Sequence, residues 1–426
     1  MTFYEEYTPV RRIALVTLIL LGLLGSLSHA AASEPLTLDE AVTLSILADD
    51  PSVTRFQEMA GAEEEQAVAA GQLADPQVQF RVANVPTDSF RLDREPMTQL
   101  QVGVRQAFPR GGTLRLQRER HELQSVGAEA QADLMVVQRA LDTRTVWLEA
   151  YYLRGAREAV LASQDAMREF IEVATTIYST GRSTRQDVLR AELELSALED
   201  RTIDIEGREA LSRADLERLV GRDASSRPLS EDLPTLSLPA PIGVLRDRLV
   251  YHPSVAVLDA SVDVGEINIG IAEEAYRPAW AVEAMYGNRA DERSDFASIG
   301  IVMDVPIFTG QRQDRRLSAA RHARESARLS RSAYLLDLER DLNRTYAAWQ
   351  RDTDRATLYE QSVVPQARAT SRAVIDAYRN DVSDFPELIR ARLAELDAEL
   401  ALLRLQVDAR QANARLIYLG GEGNGS

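Results

Sequence analysis

The sequence predicts a mainly helical protein with a β-barrel portion, to which each chain supplies four strands. Three observations favour this fold class: an ordered internal repetition with a period of about 200 residues, two pairs of segments with alternating polarity, and long helical segments with heptad spacing. The predicted order of elements in each half is helix, strand, strand, long helix and return helix.

The composition excludes several classes of site. The 426 residues contain no cysteine, all 49 basic residues are arginine, and the formal net charge is -17. Cysteine nucleophiles, zinc–thiolate sites and Schiff-base lysines are therefore absent. The four histidines are scattered, so we expect no metal site and no cofactor. Nucleic acid is not an expected partner either, because its phosphates require a basic surface.

The first 32 residues have the features of a secretory signal peptide. Arg11 and Arg12 precede an apolar run from Ile13 to Leu24, and small residues follow at positions 28–32. This run is too short to span a bilayer comfortably, and an uncleaved anchor is the alternative. No later segment approaches the roughly 18 apolar residues of a membrane helix, so a membrane-crossing form of the protein would have to use strands.

The remaining chain is predicted to consist of two structural repeats, 33–235 and 236–426. Matching residues recur in the same order in both halves, and a proline-rich stretch marks the join. The clearest matches are Asp50-Pro51-Ser52-Val53 with His252-Pro253-Ser254-Val255, and Tyr178, Ser183 and Leu193 with Tyr378, Ser383 and Leu393. Pro51 and Pro253 are expected to interrupt the first short helix of each repeat.

Strands are predicted at about 76–85 and 98–108, and again at about 278–286 and 296–307. Glutamine and arginine alternate with apolar residues there, as expected when one face meets a wet lumen and the other meets lipid. The residues expected to face lipid are Val78, Phe80, Val82, Leu100, Val102, Trp280, Val282, Ile299 and Ile301. Two soluble hairpins are the alternative. Because four strands cannot close a barrel, insertion requires additional copies of the chain.

Long helices are predicted at about 114–178 and 311–378, with return helices at about 185–220 and 386–418. At 1.5 Å per residue, such a long helix extends roughly 95 Å. The last return helix has a regular heptad pattern, formed by Ile389, Leu393, Leu396, Leu400, Leu403 and Val407. Pro365 is expected to kink or split the second long helix. A coiled-coil rod without a channel would have the same helices.

Taken together, these features resemble the TolC-type outer-membrane efflux channel family. The resemblance covers essentially the whole mature chain and rests on the doubled layout, on the leucine–glycine end of each half, and on the segment Tyr178-x-x-Gly181-x-Ser183-x3-Asp187-Val188-Leu189. It implies a homotrimer with a twelve-stranded barrel in outer-membrane lipid and a helical tunnel through the periplasm. The implied partners are a periplasmic adaptor and, indirectly, an inner-membrane pump.

The resemblance also assigns roles to the two helical tips. It implies that the adaptor contacts Tyr178, Gly181, Ser183, Asp187, Tyr378, Asp381 and Ser383. It further implies that Glu387 and Arg390 gate the tunnel mouth by pairing between chains, the alternative being that both are solvated surface residues. The second tip departs from the first, because Asp381 replaces the turn glycine Gly181 and tolerates a left-handed conformation less well.

The resemblance implies a passive exit duct of a tripartite efflux system. The alternatives are a soluble periplasmic coiled-coil scaffold and the outer-membrane component of type I protein secretion. An enzyme is not expected, because no base, nucleophile or metal cluster accompanies the acidic runs at 49–50, 63–65 and 273–274. The sequence does not identify the cargo, although the acidic balance favours cations.

Overall fold

The computed structural model describes residues 34–179, 184–380 and 382–421. The described chain is mostly helical with one four-stranded sheet, so the mainly helical class predicted from the sequence is confirmed. The predicted signal peptide and the tip residues Gly181, Ser183 and Asp381 lie outside the described residues.

The helices and strands follow one another in a regular order. The first half contains α1 (Leu38–Leu47), α2 (Pro51–Ala70), β1 (Gln77–Ala83), β2 (Gln99–Phe108), α3 (Thr113–Ser179), α4 (Arg185–Val220) and the short α5 (Arg222–Ser225). The second half contains α6 (Ile242–Arg248), α7 (Pro253–Glu274), β3 (Ala279–Asn288), β4 (Phe296–Asp304), α8 (Gln313–Leu358), α9 (Val364–Arg379) and α10 (Phe385–Leu419). A 3₁₀ turn at Leu249–Tyr251 precedes α7.

Two long helices organise the packing. Helix α3 has 67 residues and is therefore about 100 Å long. Near the sheet, α3 packs between α2 and α7, and α7 packs on α8. Near the tips, α3 packs between α4 and α10, and α10 packs on α8 and α9. Helix α10 thus takes over the place of α7 along the wall, and α4 that of α2.

Apolar side chains of α3 fill the space between these helices. Leu153, Val160 and Met167 are buried in a cluster shared with α4 and α10. Trp147 is fully buried nearer the sheet, where its indole N–H donates to the Leu36 carbonyl at 3.1 Å. Leu36 in turn forms an isolated parallel bridge with Leu229, which fixes the extended segment before α1 against the segment after α5.

Pro365 neither splits nor ends the long second helix. A π-helical turn at Tyr359–Val363 lies between α8 and α9, and the backbone remains right-handed helical on both sides of it. Proline lacks the N–H that would bond to the preceding turn, and a widened turn absorbs this loss without a break in the helix. The predicted split is therefore wrong, since the chain stays helical through a π-helical turn that accommodates the proline.

The four strands form one antiparallel sheet in the order β1-β2-β3-β4. Strand β2 pairs with β3, so the hairpins of the two halves lie side by side, while β1 and β4 each have one edge without a strand partner in the described chain. None of the helices in the described parts of the chain has both the length and the apolar character needed to cross a bilayer.

Asp50 and His252 occupy matching positions, each just before the proline that begins a helix. The Asp50 carboxylate accepts from the Ser52 N–H at 2.7 Å, and Nδ1 of His252 accepts from the Ser254 N–H at 3.2 Å. His252 is fully buried, and its Nε2 donates to the Tyr418 carbonyl at 3.1 Å. The bond from Ser254 requires a neutral imidazole, since a protonated ring keeps its donor to Tyr418 but has no acceptor for Ser254.

Burial lowers the pKa of His252, and the guanidinium of Arg415 on α10 acts in the same direction, whereas the hydrogen bond to Tyr418 opposes them. Asp341 on α8 pairs with Arg415 at 2.7 Å. A histidine with a lowered pKa in the folded state binds a proton more readily in the unfolded state. Neutral His252 therefore stabilises the folded state fully above the ordinary pKa of about 6.5, and this contribution is lost as the pH falls below it.

We expect the apparent melting temperature of the full chain in detergent to fall between about pH 7 and pH 5, and this fall to be smaller in His252→Asn, which cannot take up the proton. One pKa unit corresponds to about 1.4 kcal/mol. The control is His322→Asn, at an exposed position on α8. If the melting temperature of His252→Asn falls with pH as steeply as that of wild type, protonation of His252 is not the cause of the fall.

Candidate functional site

One face of the sheet is apolar along all four strands. Directly paired residues of an antiparallel sheet lie on the same face, and successive residues alternate between faces. Phe80 pairs with Val102, which pairs with Tyr286, and Val282 pairs with Ile301. The same register places all nine residues that the sequence predicts to face lipid on this one face, which we call the apolar face.

The apolar face is exposed in the chain. Phe80 is 81% exposed, Ile299 84% and Ile301 69%. A contiguous exposed apolar surface of this kind marks an interaction site rather than an ordinary soluble surface. The register adds Val104, Tyr286 and Met303 to it. The alternation in the sequence already contained the signal for all three, because Tyr286 follows Trp280 and Val282 at even spacing.

The opposite face of the sheet is polar. It carries Gln79, Gln101 and Arg105 from the first hairpin, and Glu283 and Ser298 from the second. Nε of Arg105 lies 3.3 Å from a carboxylate oxygen of Glu283, its direct partner across the strand pair β2–β3. A sheet that is polar on one side and apolar on the other, with both sides accessible, suits a boundary between water and lipid.

Aromatic side chains lie near both ends of the apolar face. Phe108 and Trp280 stack with ring centroids 4.2 Å apart at the end near the helices. At the other end, the Tyr286 hydroxyl donates to Asp295. Aromatic rings with a polar handle are enriched where membrane barrels meet the lipid–water interface.

At the first tip, Asp187 has a structural role in helix capping. The Asp187 N–H donates to the Thr184 hydroxyl at 3.3 Å, and the Thr184 N–H donates to the Asp187 carboxylate at 3.2 Å. This reciprocal pair is a capping box that begins α4. Tyr178, at the end of α3, is about half exposed. The resemblance implied adaptor contacts for both residues, and the cap was not predicted from the sequence.

At the second tip, Tyr378 is a packing residue. Its ring lies 5.8 Å from that of Phe385, and both join the cluster shared with α3. Ser383 is half-buried, whereas Val382 beside it is exposed at the apex and was not singled out from the sequence. The two tips therefore meet through apolar contacts, next to a groove of about 350 Å³ that includes Phe170.

The predicted gate residues pair within one chain. Nη1 of Arg390 lies 2.9 Å from Oε2 of Glu387, and both side chains are substantially exposed. The Glu387 N–H also donates to Asp384, which caps α10. For Arg390 to pair with Glu387 of a neighbouring chain, the ion pair within the chain would have to break. Within the ranges that the structure describes, no three histidine or acidic side chains come together to hold a metal ion.

Comparisons with known proteins agree with this geometry. Residues 244–422 match the family model described as "Outer membrane efflux protein". The chain is 27% identical over 281 residues to the alkaline protease secretion protein AprF of Pseudomonas aeruginosa, an alignment that covers 62% of this chain and 57% of AprF. The chain thus spans less than two thirds of the length of this curated relative.

Solved structures share the fold. The outer membrane protein VceC of Vibrio cholerae superimposes with a TM-score of 0.76 at 19% identity, covering 90% of this chain and 96% of VceC. The open-state outer membrane channel MtrE of Neisseria gonorrhoeae gives 0.73 at 16% identity, covering 91% and 89%. The resemblance to outer membrane efflux channels predicted from the sequence is confirmed, by the family model over residues 244–422 and by the shared fold.

Adjacent residues on β4 allow a direct test of the apolar face. We expect Ile299→Arg to reduce the amount of protein in the outer membrane, because an arginine facing lipid costs about 2–4 kcal/mol near the bilayer centre. Ser298→Arg is the matched control on the polar face and is expected to fractionate like wild type. The measurement is immunoblotting of carbonate-washed outer membranes. A stronger defect in Ser298→Arg would reverse the assignment of the two faces.

Proposed function

We propose that this chain, whose second half matches the outer membrane efflux protein family, is the outer-membrane exit duct of a tripartite efflux system. The duct passively conducts substrates from an inner-membrane pump, through a periplasmic adaptor, to the outside. The observation that carries the proposal is the continuous exposed apolar face of the sheet, backed by a polar face. A passive conduit needs no catalytic residues, so we do not propose an enzymatic activity.

The proposed assembly is a homotrimer. Strands β1 and β4 each have an open edge, and unpaired backbone groups in lipid cost several kcal/mol each. Membrane barrels have at least eight strands, so one four-stranded sheet is too small to close by itself. The fold that this chain shares with solved outer membrane channels supports three copies and a twelve-stranded barrel.

The helical wall supports closure by further copies in the same way. In the part near the tips, α4 and the α8–α9 pair are the outermost helices. Both edges carry leucine or isoleucine side chains that are more than half exposed: Leu189, Leu193, Ile203 and Leu211 on α4, and Leu358 on α8. Packing the α4 edge of one copy against the α8 edge of the next would cover both sets and enclose a tunnel.

The two-repeat organisation, 33–235 and 236–426, is part of this proposal. Its support is the element order, which gives each half short helices, a hairpin, a long helix and a return helix. Asp50 and His252 cap corresponding helices, α2 and α7. Such doubling would place two hairpins and two tips per chain around the assembly axis.

The proposed adaptor-binding surface is formed by the two tips. Val382 and the half-exposed Tyr178 offer apolar contacts, while Thr184, Asp187 and Asp384 keep the ends of the return helices fixed. We place the gate at Glu387 and Arg390 because both are accessible beside the second tip. Because Glu387 and Arg390 pair within one chain, the closed state would depend on ion pairs inside each chain and not on ion pairs between chains.

Export of proteins is the second candidate function. The likeness to a protein named for alkaline protease secretion favours it. The substrate would then be an unfolded polypeptide rather than a drug or a metal cation. A soluble periplasmic scaffold, the third alternative, leaves the exposed apolar face without an explanation.

The assembly can be tested with the purified mature protein. We expect it to sediment in detergent as three copies and to form ion-conducting channels in planar bilayers, since both follow from barrel closure by copies. A monodisperse monomer without detergent would contradict the duct and favour the scaffold.

The gate can be tested by reversing one charge. We expect Arg390→Glu to raise the single-channel conductance in planar bilayers, because it removes the Glu387 pair and places two carboxylates one turn apart. The control is Arg190→Glu, at the corresponding position of the first return helix. Equal conductance of Arg390→Glu and wild type would exclude this residue from the gate.

A further inference from the structure

A small arginine-rich groove lies between α3 and α4, away from the sheet and the tips. Its volume is about 210 Å³, and the segment that follows α5 covers it on one side. Ala150 and Leu216 are buried at its floor. Four of its lining residues are arginines, Arg154, Arg157, Arg213 and Arg227, whereas Glu209 is its single acidic residue. This local excess of positive charge is unusual in a chain with a net charge of -17.

Two of these arginines hold the walls of the groove. Arg154 donates to the carbonyls of Leu229 and Ser230 at 2.7 and 2.9 Å. Arg227 donates to both carboxylate oxygens of Glu40 at 2.7 and 2.9 Å and to the Glu34 carbonyl at 2.6 Å. Their donors are therefore largely occupied, and they fix the covering segment against α3 and α1.

The other two arginines have donors to spare. Arg157 forms an ion pair with Glu209, its Nε lying 3.1 Å from Oε2, and its two terminal nitrogens form no hydrogen bond with a residue that the structure describes. Arg213, exposed on α4, forms neither a hydrogen bond nor an ion pair with any residue that the structure describes. Arg157 and Arg213 therefore both line the groove with guanidinium donors that no described residue accepts.

We infer that this groove binds a small oxyanion, a phosphate or a carboxylate, through the guanidinium groups of Arg157 and Arg213. Guanidinium presents a planar fork of donors that matches the oxygens of both groups. The apolar floor lowers the local dielectric and strengthens such contacts. The small volume limits the ligand to a single anionic group with a short substituent. The inference does not depend on the proposed duct function.

The oxyanion has two conceivable sources. It is either a free anion in the periplasm or a carboxylate of a second copy, because α4 is an outermost helix of the wall. Both sources share one recognition chemistry and require the same two guanidinium groups. They differ in whether the site is open in the assembled protein.

The experiment is a calorimetric titration of the purified full-length mature protein with inorganic phosphate. We expect one site per chain, and binding at least about tenfold weaker in the double variant Arg157→Gln/Arg213→Gln, because two charged hydrogen-bonding groups are removed. Glu209→Gln should bind phosphate several-fold more tightly, since it removes the competing carboxylate. Arg190→Gln, an exposed arginine elsewhere on α4, is the matched control and should bind like wild type.

The tightening in Glu209→Gln separates an anion site from a merely structural cluster, because a structural role predicts no gain in binding. If wild type does not bind phosphate, a second measurement identifies the other source. A carboxylate of a second copy is indicated when the double variant, but not Arg190→Gln, lowers the temperature of subunit dissociation in a salt-sensitive way. No phosphate binding together with unchanged dissociation would overturn the inference.

Discussion

The open hydrogen-bonding edges of β1 and β4 are the constraint on which the rest of the molecule depends. A strand edge in water can bond to solvent, but one surrounded by hydrocarbon cannot. The apolar face makes water an unfavourable surrounding for this sheet, and the edges make lipid unfavourable for a single copy. The proposed ring of sheets from several copies would satisfy both conditions. The exposed leucines on the outermost helices extend the same requirement along the wall.

The helices also keep the same packing arrangement over a long distance. Helices α3 and α8 continue, while α7 gives way to α10 and α2 to α4. Where these helices meet end to end, two different devices satisfy the buried polar groups. In the first half, Asp50 pairs with Arg218 and with Arg139, which also donates to the Leu219 carbonyl. In the second half, the neutral His252 does this alone.

Much of this architecture is accessible from the sequence because periodicity reports directly on which face of an element is buried. Alternation located the strand segments, and the register placed Val78, Leu100 and Ile299 on one face as their parity required. Residues whose roles depend on partners distant in sequence were not accessible. Arg157 and Arg213 line one groove only because α3 and α4 pack side by side. By contrast, the capping box of Thr184 and Asp187 is local, and their spacing already contained its signal. The π-helical turn before Pro365 was also not accessible, since proline alone does not specify how a helix accommodates it.

The contact between Leu36 and Leu229 bears on how the chain reaches its native state. These residues are bridged although almost the whole first half of the chain separates them, and Arg227 adds a second tie to the carbonyl of Glu34. Loop closure over so many residues is entropically slow, whereas the hairpin of α3 and α4 forms from near neighbours. The leading segment is therefore among the last parts to settle.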